Sequence, residues 1–505
     1  MRIYSLSFLS LLLVVLVSCR KDFDFEPQQG KLSFSKDTVY LDTVFTNIGS
    51  STYTLKVYNR SNKNIKIPSV RLGQGEKSNY RLMVDGRAGK VFQNVELLAK
   101  DSLFIFIETT IDYNQYQNNL TEFLYTDRID FGNGSDAQKV ELVTLVQDAH
   151  FLYPQRNAQG VAETIPFDDE EIYGFYLSER DHNQKNTLHW TSDKPYVIYG
   201  YAAVPAEKTL RIDPGARIHF HDNSGLLVAN KAKVASMGTP ERPIVIQGDR
   251  LEPDFANIPG QWGAIWLTVG STGTFENTVI KNPTVGLLVN KNSETVRLHN
   301  VQIYNATQNG ILGRAAKIYG SNVVVGNAGI ASFSGSFGGE YEFIHSSFVN
   351  YWSKPNHTAV MLDDYDGSAE FQLKKAVFEN CILYSSSSES LIIRTAAAPE
   401  NVHFQFKNSL IKYFAFGGGN QAAFPFDFNN PLYYNAILLS TQTDQFRPYF
   451  LNPQKNELMI TDESVQIIGK GNLETAQKVP LDLLGKVRTS QPDVGAYQYV
   501  ASPKE

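Results

Sequence analysis

The feature that most narrows what this 505-residue chain can fold into is a repeat in its C-terminal half. Six segments align: Phe275-Glu-Asn-Thr-Val-Ile, Leu298-His-Asn-Val-Gln-Ile, Gly320-Ser-Asn-Val-Val-Val, Ile344-His-Ser-Ser-Phe-Val, Phe378-Glu-Asn-Cys-Ile-Leu and Phe406-Lys-Asn-Ser-Leu-Ile. Taken as one column, Asn277, Asn300, Asn322, Ser346, Asn380 and Asn408 are spaced by 23, 22, 24, 34 and 28 residues. The two long intervals carry insertions, one around 354–367. A period in this range is the signature of stacked repeats. Three residues on, Ile280, Ile303, Val325, Val349, Leu383 and Ile411 are all apolar, as an interior stack requires. The Asn column suits a ladder in which each side-chain amide bonds to the rungs above and below it. One residue before it, Glu276, His299, Ser321, His345, Glu379 and Lys407 are all polar. That column is expected to face water, where a ligand could meet it.

Upstream the texture is related: Leu210-Arg-Ile-Asp-Pro-Gly-Ala-Arg-Ile, then Gly225-Leu-Leu-Val, then Ser236-Met-Gly-Thr-Pro-Glu-Arg-Pro-Ile-Val-Ile, then Gly260-Gln-Trp-Gly-Ala-Ile-Trp-Leu. This order resembles right-handed parallel β-helix proteins of the pectate-lyase-like class. The resemblance runs over residues 188–500 and implies an architecture rather than an activity, since that fold hosts many functions. The segment from Asp482 to Tyr499 is similar to the Asp-x-x-Gly…Arg…Asp-Ile-Gly-Ala-Tyr-Glu-Tyr ending common in the class, departing at Val494 and Gln498. It is expected to cap the solenoid, whose open end would expose unpaired strand edges.

Residues 31–150 read as a series of short strands. Thr38-Val-Tyr-Leu, Tyr53-Thr-Leu-Lys-Val-Tyr, Ser102-Leu-Phe-Ile-Phe-Ile-Glu and Lys139-Val-Glu-Leu-Val-Thr-Leu-Val alternate with period two. Turn clusters such as Asp85-Gly86 separate them. The pattern predicts a β-sandwich, and the segment resembles immunoglobulin-like modules of Bacteroides-type surface lipoproteins. Asp37-Thr-Val, Asp42-Thr-Val and Asp101-Ser-Leu are similar to the O-glycosylation sequon of those bacteria, and strand alternation explains them equally well. Residues 151–187 are expected to be a linker, with Asp168–Glu171 a solvated acidic turn.

The N-terminus supplies an address. Leu6 to Val17 is a nearly unbroken apolar run after Arg2, too short for the ~20 residues of a membrane span and suited to a signal peptide over residues 1–18. Leu16-Val-Ser-Cys19 resembles a bacterial lipobox. The resemblance implies cleavage before Cys19 and lipid attachment to it, giving an outer-membrane lipoprotein. Residues 19–30 then form a tether whose alternating acids are similar to surface-export tethers, which favours the cell surface over the periplasmic face.

Function is less legible. Forty-six basic against 52 acidic residues give a net charge of −6, which excludes a basic surface built for nucleic acid. Two cysteines cannot form a disulfide framework, and Cys381 in an apolar run reads as a small buried hydrophobe. Glycoside hydrolysis needs two carboxyls ~5–9.5 Å apart. At ~4.8 Å per rung, Glu276 and Glu379, four rungs apart, are separated by roughly 19 Å. His299 and His345, two rungs apart, are ~9.6 Å from each other on that spacing, too far to share a metal. Only Glu276 beside His299 could form an acid–imidazole couple. Asp363-Asp364 occurs, but in an insertion and without the Asn-Thr-Asp and Gly-His-Gly stations of polygalacturonase-like enzymes. The expectation is therefore an all-β, two-domain, monomeric envelope protein with no cofactor or metal. It would bind a glycan or a surface partner without turning it over, the alternative being a lyase or hydrolase of acidic polysaccharide. Tyr351-Trp352 and Tyr433-Tyr434 are candidate sugar-stacking aromatics.

Overall fold

The computed structural model describes residues 23–112, 122–133, 137–167, 170–292, 294–414, 423–488 and 490–501. The signal peptide, Cys19, the first residues of the tether and Asp168-Asp169 lie outside the described residues. The chain is all-β and divides into two units, with the boundary between Asp148 and Ala149. Among the described residues no helix is long and apolar enough to cross a membrane.

The first unit holds a six-stranded and a five-stranded sheet that share one core, built from Val39, Leu41, Ile67, Val95, Ile129 and Leu142 of one and Leu55, Val57, Tyr80, Leu82, Ile105 and Ile107 of the other. The strands legible in sequence occur at Thr38–Phe45, Tyr53–Tyr58, Ser102–Thr109 and Gln138–Gln147. Asp85 and Gly86 make the two-residue turn between Tyr80–Val84 and Arg87–Gly89. Both have positive φ, 50° and 71°, as a type I′ turn demands. The tether's end is not free: Glu26–Pro27 pairs in parallel with Ile65–Lys66, and Lys63 bonds Glu26 at 2.7 Å.

The second unit carries a 27-stranded sheet in which pairing is parallel almost throughout, with the parallel partners 21 to 46 residues apart in the chain. Tyr196–Ile198 pairs with Arg217–Phe220, which pairs with Ile244–Gly248. Strands within residues 151–187, expected to be a linker, belong to this sheet. His150–Leu152 pairs with Tyr196–Ile198, and Glu170–Tyr176 pairs with Tyr201–Val204. The register stacks Tyr196, Ile218, Ile246, Ile280, Ile303, Val325, Phe348, Leu383, Ile411 and Leu439 in one column. Each such side chain contributes ~1.5–3 kcal/mol on burial. A second column stacks Phe343, Phe378, Phe406 and Tyr434, with ring centroids 5.4, 5.0 and 5.6 Å apart. Gly320 occupies the rung before Phe343, and a Cβ there would lie 2.5 Å from that ring.

The C-terminal segment does not sit only at an end. Asn456 bonds Asn305 and Asn327, Leu481 and Arg488 meet Asn322, Gly495 meets His345 and Asn380, and Asn472 bonds Asn380. Phe450, Leu458, Ile460, Ile467, Leu483, Val494 and Tyr497 pack on Tyr304, Val324, Val349, Ile382, Tyr384 and Leu410. The expected cap is thus a strap along the flank of the stacked strands. The reason is chemical: the Asn corner leaves amides and carbonyls that a flanking chain can satisfy.

Candidate functional site

Asn277, Asn300, Asn322, Asn380 and Asn408 all occupy the left-handed region, with φ between 44° and 54°, which Asn tolerates better than most residues. Asn300 Nδ2 donates to Asn277 Oδ1 at 3.0 Å, and Asn322 Nδ2 to Asn300 Oδ1 at 2.9 Å. The fourth rung differs from the sequence alignment by one residue. Ser321 pairs with Ile344 and Ile344 with Glu379, so His345, with φ 46°, fills the Asn slot and Ser346 lies one beyond. The interior residue of that rung is accordingly Phe348 rather than Val349. Fully buried, His345 donates from Nδ1 to Gly495 O at 3.3 Å and accepts at Nε2 from Asn380 Nδ2 at 2.9 Å. Burial holds its pKa down at about 2, so the imidazole is neutral and serves as an amide substitute. A second Asn corner, unread in sequence, runs Asn282, Asn305, Asn327, with Asn305 Nδ2 bonding Asn282 Oδ1 at 3.0 Å. Its spacings of 23 and 22 residues were the available signal.

The polar column in front of the ladder is only partly water-facing. Glu276 is half-buried and His299 exposed, its Nδ1 pairing with Ser321 Oγ at 2.8 Å. Glu379, expected in water, is buried under the strap, where it bonds Lys407 at 3.1 Å, Lys478 at 3.0 Å and Thr475 Oγ1 at 3.2 Å. Burial opposes its ionisation, but the bonds from Lys478 and Lys407 outweigh this and keep its carboxyl below the usual range. With His345 in the ladder and Glu379 committed to two lysines, the column holds one acid–imidazole neighbourhood, Glu276 with His299. Asp363 and Asp364 also have structural work. Asp363 accepts from Ser336 Oγ and Phe337 N, and Asp364 from Ala396 N, Ala397 N and Thr395 Oγ1. Of the aromatics singled out in sequence, Tyr434 is buried in the core, while Tyr433 lines a shallow recess with Lys375 and His403. Among the described residues no cluster of three or more His, Cys, Asp or Glu could hold a metal.

Among the described residues two further places stand out. The first is a cleft in two lobes of about 390 and 330 Å³ that share Phe151, Leu152, Asp181, Asn183 and Thr187. His150 and His189 line one lobe, paired to Asp193 at 3.1 Å and Asp213 at 2.8 Å. Burial works against the Asp193 carboxylate, but bonds from Thr191 and His150 prevail and lower its pKa.

The second is the outer face of one strand ladder. There Ile265, Leu287, Ile311, Phe333, Val360 and Leu391 belong to the core, so by period two their successors Trp266, Leu288, Leu312, Ser334, Met361 and Ile392 point outward. A hairpin covers the beginning of this face, with Phe167 packed on Trp266 at 4.4 Å between ring centroids. Beyond it Leu288, Met361 and Ile392 are half-exposed. Trp266 Nε1, Asn290 Oδ1, Asn309 Oδ1 and Ser334 Oγ lie on these strands, buried and without a partner. They are four of the six such atoms among the described residues. Nearly all buried polar atoms in folded proteins are satisfied, so their concentration is informative.

No protein-family model and no curated protein matches the sequence. Among solved structures, the chain overlaps a family 123 glycoside hydrolase from Clostridium perfringens, described for glycolipid glycan hydrolysis. The overlap has 7% identity and a TM-score of 0.17, covering 24% of this chain and 30% of the hydrolase. It also overlaps the collagen-binding subdomain of the Enterococcus faecalis surface protein ACE, with 13% identity and a TM-score of 0.11, over 24% of this chain and 99% of the subdomain. Overlaps of this extent carry no argument about fold or activity.

Proposed function

We propose that this is an exported, lipid-anchored envelope protein in which an immunoglobulin-like sandwich carries a right-handed parallel β-helix that binds glycan without cleaving it. The lipid anchor would sit at Cys19. Parallel pairing of strands in nearly unbroken sequence, with several pairs 22 to 24 residues apart, supports the β-helix, and crossovers between parallel strands are right-handed in nearly all proteins. The observation that carries binding is the apolar strip of outer sheet face beyond the hairpin, on which Leu288, Met361 and Ile392 stand half-exposed. A sugar ring presents an apolar face that can lie on such a strip, and its hydroxyls, which both donate and accept, are left to bond polar side chains along the strip's edge. A glycan array paired with depolymerisation assays on the bound polymers tests it. Binding with no new reducing ends or unsaturated products is expected, and turnover would replace this reading with the enzymatic one.

The enzymatic reading has its own support in the cleft where His150–Asp193 and His189–Asp213 pair. A carboxylate that orients an imidazole is a recurrent general-base arrangement. Turnover abolished by His150→Ala or His189→Ala would establish it. For the anchor, Cys19→Ala is expected to move the protein from the membrane to the soluble envelope fraction. Protease shaving of intact cells separates surface from periplasmic display.

A further inference from the structure

The outer face described above ends in a column whose chemistry changes along its length: Asn290, Arg314, Ser336, Asp363 and Arg394 occupy successive rungs. Arg314 and Arg394 are both exposed, and neither guanidinium has a carboxylate partner among the described residues. They stand three rungs apart, roughly 14 Å at the usual strand spacing. Between them lies a patch of three aromatic rings. Phe337 packs on Tyr365 at 4.7 Å and on Phe371 at 5.2 Å, and Tyr365 meets Phe371 edge-on at 5.5 Å. Lys291 reaches over Phe371 at 5.8 Å.

Two features mark the patch as built. Tyr365 is 63% exposed although it is the centre of an aromatic contact. Phe337 and Tyr365 both hold left-handed backbone, with φ 57° and 59°, a conformation bulky side chains rarely adopt. At Phe337 the conformation is held by Asp363, whose carboxylate accepts from Phe337 N at 2.9 Å and Ser336 Oγ at 2.6 Å. Backbone strain that surrounding bonds over-determine clusters at ligand sites.

We infer that this patch binds the anionic sugars of a carboxylated or sulfated polysaccharide, with Arg314 and Arg394 each taking an acidic group in a bidentate pair and Tyr365 stacking on a pyranose face. A planar guanidinium with all its donors free fits such a group in a way lysine does not. The carboxylates nearby, Asp363, Asp364 and Asp366, are already bonded to backbone amides and hydroxyls, so they do not compete for the arginines. They nearly balance the local charge. Recognition therefore works through direct contact, and a moderate loss with added salt is expected rather than a collapse. This inference rests on the glycan-binding reading and supplies its substrate class.

The test measures binding of the full chain to polygalacturonate, a sulfated glycan and a neutral polymer of matched length. Wild type, Arg314→Gln, Arg394→Gln, the double variant and Tyr365→Ala are compared, with melting curves confirming folding. The two arginines are exposed, so their variants should leave the melting temperature unchanged, while Tyr365→Ala should lower it modestly through the loss of its ring contacts with Phe337 and Phe371. Preferential binding to one acidic polymer is expected, about tenfold weaker in each arginine variant and about 100-fold weaker in the double, since the sites are far enough apart for their effects to add. Tyr365→Ala should weaken it by about tenfold. Binding to the neutral polymer alone, or acidic binding that both arginine variants leave unchanged, overturns the inference while glycan binding stands. Failure to bind any of the three polymers or any glycan of the array removes both.

Discussion

At the scale of single residues, His345 is the most informative. It stands in a slot otherwise filled by Asn, and it can do so because a neutral imidazole, like an amide, offers one donor and one acceptor. Its low pKa has a consequence for stability. Unfolded, the ring titrates near 6.5; folded, it stays neutral down to about 2. Between these values the unfolded chain binds the extra proton, so stability is intact above pH 6.5 and falls as the pH drops below it. His219, fully desolvated and held at about 4, adds to the same trend over its upper part. Each ring contributes a slope of up to ~1.4 kcal/mol per pH unit in its window. Urea melts from pH 7 to 5 should show this loss, and His345→Asn should remove the His345 share of it while keeping the melt at pH 7 nearly unchanged. Equal acid sensitivity in the variant would contradict the assignment. Asn300→Ala, which loses two ladder bonds and places alanine at φ 54°, is expected to cost ~2–3 kcal/mol in denaturant melts. Asn300→Gly should cost less, because it relieves the backbone.

At the scale of elements, the strands of the second unit are held by their columns rather than by individual propensity. The stacked rings of Phe343, Phe378 and Phe406 each contact the rung on either side, so Phe378→Ala should open a cavity felt by three rungs and lower stability by ~3–5 kcal/mol. Phe378→Leu should recover most of it. The strap is another such element, and its sequence motif now has a physical content. The Asp482 carboxylate accepts from Leu484 N, Lys486 N and Gln498 N. Asp493 accepts from Gly469 N and Tyr499 N. Arg488 lies between them and donates to Asn322 Oδ1 at 2.6 Å and Val479 O at 3.1 Å. Burial lowers the Arg488 guanidinium to about 10, which leaves it charged at neutral pH. Arg488→Ala removes the bonds to Asn322 Oδ1 and Val479 O and the buried positive charge near Asp482 and Asp493, and should destabilise by ~2–3 kcal/mol. Calorimetry should show the second unit melting earlier and the first unchanged.

At the scale of the whole molecule, the second unit is one continuous hydrophobic column with a covered flank. Removing residues 446–505 would strip Phe450, Leu458, Ile460, Val494 and Tyr497 from Tyr304, Val324, Ile382 and Leu410 and leave an exposed apolar strip. Such a strip on a soluble surface promotes association. The truncated chain is therefore expected to aggregate or to bind a hydrophobic dye strongly, where the full chain does neither.

The amino-acid sequence alone determined the all-β character, the strands of the first unit that alternate cleanly, and the register of the repeat at five of its six positions. These follow from local rules: period two within a strand, and Asn where the backbone must turn left-handed. The slot at His345 escaped because a template built on Asn matched the neighbouring His-Ser by resemblance of letters, whereas the true criterion was the left-handed backbone. What only the tertiary structure decided is which polar residues meet water. Glu379 is buried by Lys478, 99 residues away, and His345 by Gly495, 150 residues away. Contacts of that separation leave no periodic trace in the chain. The unpartnered atoms from Trp266 to Ser334 and the patch of Tyr365 and Phe337 likewise come together only when the windings stack.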